Sequence, residues 1–278
     1  MSDTPPVAVI TGATDGIGQA TARALTGQGW RVGVLGRNQE RTETTVASIN
    51  AARPQAAFPV VADLSSLAAT CDAVAAIRAA TDRLDVLALN ANHITQEHQV
   101  TAEGFEANLA IGWLSRVVMM RGLESLIVAT GGQILSVVGM NLGRIDSDDL
   151  SLPGSSGGMA TLGQWQWAIQ AYLRAWNTRS AVPANTYMPG LVKTKILDDE
   201  PGRMTRLAIK VGTLVMASSP EESAAKLVAT IERASSGDIR DHYYSGAKDK
   251  GIRNLKASTQ DILRIWDLST TTTDPWLA

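Results

Sequence analysis

The sequence predicts an α/β fold, in which a doubly wound parallel sheet of about seven strands is flanked by helices on both faces. Short apolar runs rich in β-branched residues alternate along the chain with stretches of helical periodicity. The first of these runs ends in a glycine-rich turn that leads directly into a helix. Neither a repeat nor a linker interrupts the 278 residues, so we expect a single domain over residues 1–278.

The elements follow in order from this alternation. Strands are predicted over residues 7–10, 31–35, 57–62, 84–89, 133–138, 185–188 and 242–244, the last at an edge of the sheet. Helices are predicted over residues 19–29, 39–52, 67–80, 102–129, 164–179, 203–217, 220–234 and 260–266. Residues 139–163 are rich in Gly, Ser and Asp, and a connection of this length predicts a substrate loop. Residues 247–278 are a C-terminal extension whose threonine run, residues 270–273, predicts a frayed tail.

The composition excludes several classes of function. The formal net charge is −2, so nothing indicates a nucleic-acid or anionic-membrane partner. No apolar run is long enough for a membrane span and the N-terminus lacks a signal-peptide pattern, so we expect a cytoplasmic protein. Cys71 is the only cysteine, which excludes an intrachain disulfide, and no side-chain spacing fits a metal site.

The turn after the first strand reads Thr-Gly-Ala-Thr-Asp-Gly-Ile-Gly over residues 11–18. Glycines let the backbone come close to a ligand, and the free N–H groups and dipole at a helix start favour an anion. A strand, a glycine-rich turn and a helix in this order therefore predict a dinucleotide site, with the pyrophosphate on the helix. An ordinary tight turn is the alternative interpretation.

The end of the second strand indicates which dinucleotide is bound. Arg37 follows Gly36 where an acid would bind the ribose hydroxyl of NAD, and an arginine suits the 2′-phosphate of NADP. The sequence thus favours NADP(H) over NAD(H), although Asp15 in the glycine turn is mildly against it and Arg37 also fits a solvated surface position. Asp63, after the third strand, fits either an adenine contact or a helix cap.

Five segments in order resemble the short-chain dehydrogenase/reductase family, over roughly residues 7–246. They are the glycine turn, Asp63-Leu64, the Leu-Asn-Ala-Asn of residues 89–92, Asn108, and the Pro-Gly-Leu-Val-x-Thr of residues 189–194. Residues 142–150 resemble the retinol-dehydrogenase-like branch. The resemblance implies a Rossmann fold and a bound cofactor. The predicted cofactor residues are Gly12, Thr14, Asp15, Gly16, Ile17, Gly18, Arg37, Asn38, Asp63, Leu64, Asn90, Ala91, Asn92, Pro189, Gly190, Val192 and Thr194.

The proton-transfer residues of that family are missing. The resemblance implies a serine after the fifth strand and a Tyr-x-x-x-Lys motif at the start of the next helix. The serine position falls near Val138 or Gly139, and the tyrosine and lysine positions fall near Gly163 and Trp167. No lysine precedes Lys193, so no such motif exists in the first two-thirds of the chain. Because a positioned acid or base is worth about 10²- to 10⁴-fold in rate, ordinary alcohol or ketone chemistry is not expected.

Other side chains are candidates for the missing roles. The candidate catalytic residues are Asn108, Asp146, Asp148, His93 and Tyr172. The loop aspartates also fit a solvated loop and His93 a surface position. The predicted substrate pocket consists of Gly139, Met140, Trp165 and Trp167, with the tryptophans as apolar walls.

An apolar stripe of Ile169, Tyr172 and Trp176 lies at helical spacing and indicates core or subunit-interface packing. In the family that this chain resembles, the corresponding helix often packs across a dimer. A homodimer or homotetramer is therefore expected.

Three functions remain open at this point. The sequence slightly favours a non-redox cyclase or isomerase of natural-product metabolism, which holds NADP(H) and shapes a hydrophobic or polycyclic substrate. The alternative is an atypical oxidoreductase that reduces a conjugated substrate with NADPH. A dinucleotide sensor without catalysis is the third. The kept cofactor turn and the lost catalytic motif motivate all three.

Overall fold

A computed structural model describes residues 4–92, 97–139, 143–146, 148–152, 158–190, 218–235 and 238–277. Eight strands form one sheet in the order β3-β2-β1-β4-β5-β6-β7-β8. The strands are β1 Val7–Thr11, β2 Arg31–Gly36, β3 Ala57–Val61, β4 Val86–Leu89, β5 Gln133–Val137, β6 Ala184–Met188, β7 His242–Ser245 and β8 Lys248–Ile252. The first seven are parallel, which confirms the predicted doubly wound α/β fold.

Helices cover both faces of the sheet. They are α1 Gly16–Gly27, α2 Gln39–Ala52, α3 Leu67–Ala80, α4 Ala107–Leu109, α5 Ser115–Thr130, α6 Gly158–Trp176, α7 Pro220–Ser235 and α8 Thr259–Leu277. A π-helical turn, Ala110–Leu114, joins α4 to α5. One apolar core lies between the sheet and α1, α2 and α7, and a larger one lies under α3, α5 and α6. This two-sided burial explains why the parallel strands are apolar along their whole length.

Local sequence signals start the first three helices. Asp15, Asn38 and Ser66 stand at the N-caps of α1, α2 and α3, and each side chain accepts a backbone N–H of its own helix. These caps satisfy donors that would otherwise lack an intrahelical partner. They also fix the direction in which each helix leaves the carboxyl end of its strand.

The C-terminal part of the chain differs from the prediction. Residues 270–273 are not a frayed tail but lie within α8, where the Ser269 and Thr273 side chains are fully buried. Strand β7 is not the edge of the sheet, because β8 pairs with it antiparallel. Both β8 and α8 belong to the same folded unit as the rest, since α8 packs across α3, α5 and α6.

Two helices begin at residues other than those predicted. The helix expected from residue 102 begins at Ala107, and its first turns include the π-helical segment. The helix expected from residue 164 begins at Gly158, which shortens the predicted loop of residues 139–163. The helix predicted over residues 203–217 lies outside the described residues.

The strand order locates the ligand site. Strand β1 connects outward to β2 and β3, and the chain then returns to place β4 on the other side of β1. In such sheets the crevice at the carboxyl ends of the strands, where the order reverses, binds ligands. Among the described residues, no helix is long and apolar enough to cross a membrane.

Candidate functional site

The glycine turn brings three segments into close contact at the ends of β1 and β4. Gly12 and Gly16 have positive φ angles of 65° and 52°, which favour glycine. A Cβ atom on Gly12 would lie 2.9 Å from the Cα of Ala91. A Cβ on Gly18 would overlap the carbonyl oxygen of Gly12 and lie 2.6 Å from Asn90 Nδ2. Side chains at these glycines would therefore push the turn, α1 and the end of β4 apart.

Hydrogen bonds hold the end of β4 against this turn. Asn90 Nδ2 donates to the carbonyl oxygen of Thr11 at 3.0 Å, and the Ala91 N–H donates to Thr11 Oγ1 at 2.8 Å. The next residue, Asn92, keeps its Oδ1 buried and without a hydrogen-bond partner among the described residues. After β4, Asn90 and Ala91 are therefore fixed to the glycine turn, whereas the Asn92 side-chain oxygen is available to a ligand.

A cavity of about 610 Å³ opens beside these segments. It is lined by the first turn of α1, by Asn90, Ala91 and Asn92, and by the start of α7. Because the N–H groups and the dipole at the start of α1 face this cavity, it suits an anionic group such as a pyrophosphate.

A second cavity of about 240 Å³ lies where β2 and β3 end. Arg37, Arg41, Asp63 and Leu64 are among its lining residues. Arg37 is exposed and makes no hydrogen bond or ion pair with the described residues, whereas Arg41 pairs with Asp15 at 2.9 Å. Two guanidinium groups at this edge suit a phosphate ester. Arg41 was not predicted, because within a polar helix it looks like an ordinary surface residue.

Two of the predicted cofactor residues also have structural roles here. Asn38 Oδ1 accepts the Arg41 N–H at 2.9 Å and caps α2. Asp63 Oδ1 accepts the N–H and the hydroxyl of Ser65 at 2.9 and 2.8 Å, while Ser66 is the N-cap of α3. Asp63 therefore stabilises a turn whose residues line the small cavity.

The segment after β6 is described only as far as Gly190. Pro189 and Gly190 follow the strand directly, and Gly190 has a φ angle of 84°. Val192 and Thr194 lie outside the described residues, as do His93 and Met140.

Gln166 lies against Gly139, one of the two positions after β5 where the resemblance places a serine. A Cβ atom on Gly139 would lie 3.2 Å from Gln166 Nε2 and 3.4 Å from Oε1. Gln166 is 1% exposed, and its Oε1 has no hydrogen-bond partner. Leu162, one turn earlier on the same face of α6, is half-buried. Leu162 and Gln166 therefore lie on the face of α6 that meets Gly139. The predicted tyrosine and lysine positions, Gly163 and Trp167, each follow one of them directly in the sequence.

The two predicted pocket tryptophans are packed into the core. Trp165 lies against Gly112 of the π-helical turn, and Trp167 is 2% exposed with its Nε1 unpartnered. The Arg144 guanidinium lies over the Trp167 ring, 5.3 Å from its centroid. Both rings therefore lie below the surface of the described cavities rather than on it.

Arg116 is a buried cation between the ends of β4 and β5. Its guanidinium donates to Ser136 Oγ at 2.7 Å, to the Val137 oxygen at 2.8 Å and to the Ala91 oxygen at 2.8 Å. It also stacks over the Trp165 ring, 4.9 Å from the centroid. Burial lowers the pKa of Arg116 to about 9, which leaves it protonated at neutral pH. An arginine in an apolar helix gives no sequence signal of this role.

Asn108 lies in a small buried network at the start of the π-helical segment. Its Nδ2 donates to Glu106 Oε1 at 2.8 Å and to Thr161 Oγ1 at 2.9 Å. Glu106 is fully buried, and this burial raises its pKa above the ordinary value. The network joins α4 to α6, so it braces the N-terminal part of the helix that carries Gln166.

Asp146, Asp148 and Tyr172 make contacts that do not involve Gly139 or Gln166. Asp148 pairs with Arg264 of α8 at 2.6 Å, and the Asp146 side chain is 84% exposed. Tyr172 is buried and stacks on Trp266 of α8 with centroids 5.0 Å apart, and burial raises its pKa. These placements favour the packing interpretation of Tyr172 and the loop interpretation of the aspartates. The apolar stripe on α6 is covered by the chain's own α8.

The chain belongs to the short chain dehydrogenase family, whose model matches residues 6–202. One relative, from Streptomyces sp. (strain C5), is provisionally assigned as a daunorubicin C-13 ketoreductase, DnrU. It is 32% identical over 196 residues, which cover 68% of this chain and 66% of the relative. Human retinol dehydrogenase 13 is 25% identical over 276 residues, 93% of this chain and 81% of the relative. The predicted family and its retinol-dehydrogenase-like relatives are thereby confirmed.

Solved structures confirm the fold. L-sorbose reductase from Gluconobacter frateurii, in complex with NADPH and L-sorbose, superposes with a TM-score of 0.68. The comparison covers 93% of this chain and 99% of that chain at 21% sequence identity.

Proposed function

We propose that this protein is an NADP(H)-dependent oxidoreductase that reduces a hydrophobic, conjugated substrate without a proton donor of the Tyr/Lys type. One observation carries the proposal. A cofactor cradle that only glycines can form stands beside a β5–α6 contact made by Gly139 and Gln166, neither of which titrates. Relatives named as reductases and dehydrogenases favour hydride chemistry over the non-redox reaction.

The residues of this chain fit the cofactor. The N-terminus of α1 would hold the pyrophosphate, and Arg37 with Arg41 would bind the 2′-phosphate. Asp15, the residue that argues against NADP, is already neutralised by its ion pair with Arg41. The unpartnered Asn92 Oδ1 offers an acceptor at the end of β4. The cofactor would supply the hydride.

The remaining residues restrict the substrate. A simple ketone becomes an alkoxide after hydride addition and needs a proton at once, which Gly139, Leu162 and Gln166 cannot give. A conjugated carbonyl compound spreads the new negative charge over several atoms, so it needs a hydrogen bond rather than a proton. The substrate is therefore expected to be conjugated, and the reaction fits a biosynthetic reductase.

The non-redox cyclase or isomerase is the second candidate, because the same absence of a titrating group at Gly139 and Gln166 suits catalysis by shape. In either case a homodimer or homotetramer would use a face other than the α6 stripe, since α8 covers Ile169, Tyr172 and Trp176.

Benzylideneacetone, an enone, and benzylacetone, its saturated counterpart, separate these functions. We expect NADPH to be oxidised mole for mole with reduction of the enone, and no reduction of the saturated ketone. Isomerised product without NADPH oxidation would support the second candidate. Binding of NADPH without turnover of any conjugated substrate would support a sensor.

A further inference from the structure

The Gln166 amide is buried without a hydrogen bond to the described residues, which is costly for a polar group. Gln170, one turn further along α6, donates to the Gln166 carbonyl oxygen at 2.7 Å and accepts from Arg253 at 3.2 Å. An amide left unpaired at the end of β5 is therefore available to a ligand.

The surroundings of this amide favour negative charge. Gly139 has no side chain, so the Gln166 amide lies directly against the end of β5, where a Cβ atom would be only 3.2 Å from its Nε2. Arg116 donates to the Val137 oxygen, two residues before Gly139, and stacks on Trp165, the neighbour of Gln166. No carboxylate among the described residues pairs with Arg116. A buried positive charge of this kind stabilises an anion in low-dielectric surroundings.

We propose that the Gln166 carboxamide donates a hydrogen bond to the carbonyl oxygen of an α,β-unsaturated substrate, with Arg116 as the positioning residue behind it. This inference rests on the proposed function and assigns the group that acts in place of the family's serine and tyrosine. Because neither amide atom is fixed by another partner, the side chain can present its N–H to the oxygen.

The reaction balances without an enzyme acid. A C–H bond forms at the β-carbon of the substrate with the hydride of the reduced nicotinamide, and the C=C electrons move toward the oxygen. The resulting enolate is held by the Gln166 N–H and is then protonated at its α-carbon by water. The substrate gains two electrons and the reduced nicotinamide loses them.

The test uses para-dimethylaminocinnamaldehyde, an unsaturated aldehyde whose absorption moves to the red when its oxygen accepts a hydrogen bond. It is bound to the full chain in the presence of NADP⁺, so that no hydride is transferred. We expect a red shift for the wild type and for Gln166→Lys, and its loss in Gln166→Leu. With NADPH, hydride transfer to benzylideneacetone should fall by about 10²-fold in Gln166→Leu.

Gln170→Leu is the matched control, because it makes the same change on the same helix, at an amide that is already paired. It should keep the red shift even if it lowers the melting temperature. Should Gln166→Leu not fold, Gln166→Met replaces it, since a thioether of similar length cannot donate.

The outcomes separate the two proposals. A wild type that fails to bind NADPH overturns the proposed function itself. A wild type that binds NADPH but shows no red shift, or a red shift that survives in Gln166→Leu or Gln166→Met, overturns the role of Gln166 and leaves the proposed function standing.

Discussion

The two halves of the ligand-binding edge are built on different principles. At the ends of β1 and β4 the site is made of backbone, and glycines allow Gly12, Gly18 and Ala91 to approach closely. At the end of β5 the proposed site depends on side chains: Gln166 lies against Gly139, and Arg116 donates to the Val137 oxygen two residues earlier. A backbone cradle tolerates no added atom, whereas a side-chain site changes its chemistry when one residue is replaced.

Under the proposed function, this difference explains how one fold keeps its cofactor site while its reaction changes. The helix dipole and the N–H groups of α1 are present in any sequence that can form the turn. Proton transfer instead depends on particular titratable groups, and neither Gly139 nor Gln166, which meet between β5 and α6, titrates. Substitutions can change the glycine turn or the side chains at the end of β5 while leaving the other half intact.

The largest expected effect comes from rebuilding the side-chain half. The combined variant Gly139→Ser, Leu162→Tyr and Gln166→Lys should gain reduction of benzylacetone by about 10²- to 10⁴-fold, the usual worth of a positioned acid. Steady-state NADPH oxidation measures it. The control variant Gly163→Tyr with Trp167→Lys should gain nothing and lose stability, because it places a lysine in the core. A gain in the control instead would contradict the assignment of Leu162 and Gln166.

The second largest effect is expected from a substitution in the glycine turn, the backbone half of the edge. Gly18→Ala should weaken NADPH binding by up to about 100-fold, since overpacking of about 1–3 kcal/mol separates α1 from the turn. Fluorescence titration with NADPH measures the loss. Gly27→Ala, in the same helix, would place its Cβ in open space and should bind normally. Equal binding by Gly18→Ala and the wild type would show that the glycine turn does not hold the cofactor.

A smaller effect concerns the choice of dinucleotide. Arg37→Ala combined with Arg41→Ala should weaken NADPH binding by about 10-fold, because charge-assisted hydrogen bonds contribute about 1.5–3 kcal/mol each before solvent screening. Binding of NADH should not change, and it serves as the internal control. If both dinucleotides weaken equally, the arginines do not read the 2′-phosphate.

The smallest effect tests a residue that we place outside the chemistry. Tyr172→Phe removes a buried hydroxyl without a partner, so stability should stay equal or rise by about 1 kcal/mol. For a domain of this size that corresponds to roughly 2 °C in the melting temperature. The rate of enone reduction should be unchanged, and a fall of 10-fold or more would return Tyr172 to the list of catalytic candidates.

The sequence was most informative where structure is set locally. The glycine turn, the alternation of strands and helices and the end of β6 are all specified by short runs, and the family match confirms the fold that they predict. The exact register of α6 was not accessible in this way. A count back from Pro189 crosses the connection between α6 and β6, and one residue more or less in that connection moves every position on the helix.

Tertiary contacts account for the other differences. The threonine-rich end of the chain has low helical preference, yet Trp113 donates to Ser269 Oγ at 3.0 Å and Arg121 to Thr273 Oγ1 at 2.8 Å. Trp113 lies in the π-helical turn and Arg121 in α5, each about 150 residues before its partner in α8. Local sequence patterns therefore give no sign of these contacts. The role of Arg116 in α5 was missed for the same reason, because its acceptors lie on β5 and after β4, far from it in the sequence.

The pH dependence of hydride transfer tests the central claim most directly. Single-turnover oxidation of NADPH by benzylideneacetone is measured from about pH 5 to about pH 9, the range in which histidine and an activated tyrosine titrate. We predict a rate that does not change with pH, because neither Gly139 nor Gln166 titrates there. A rate that falls along a single titration curve would reveal an enzyme acid at the substrate oxygen and would contradict the account.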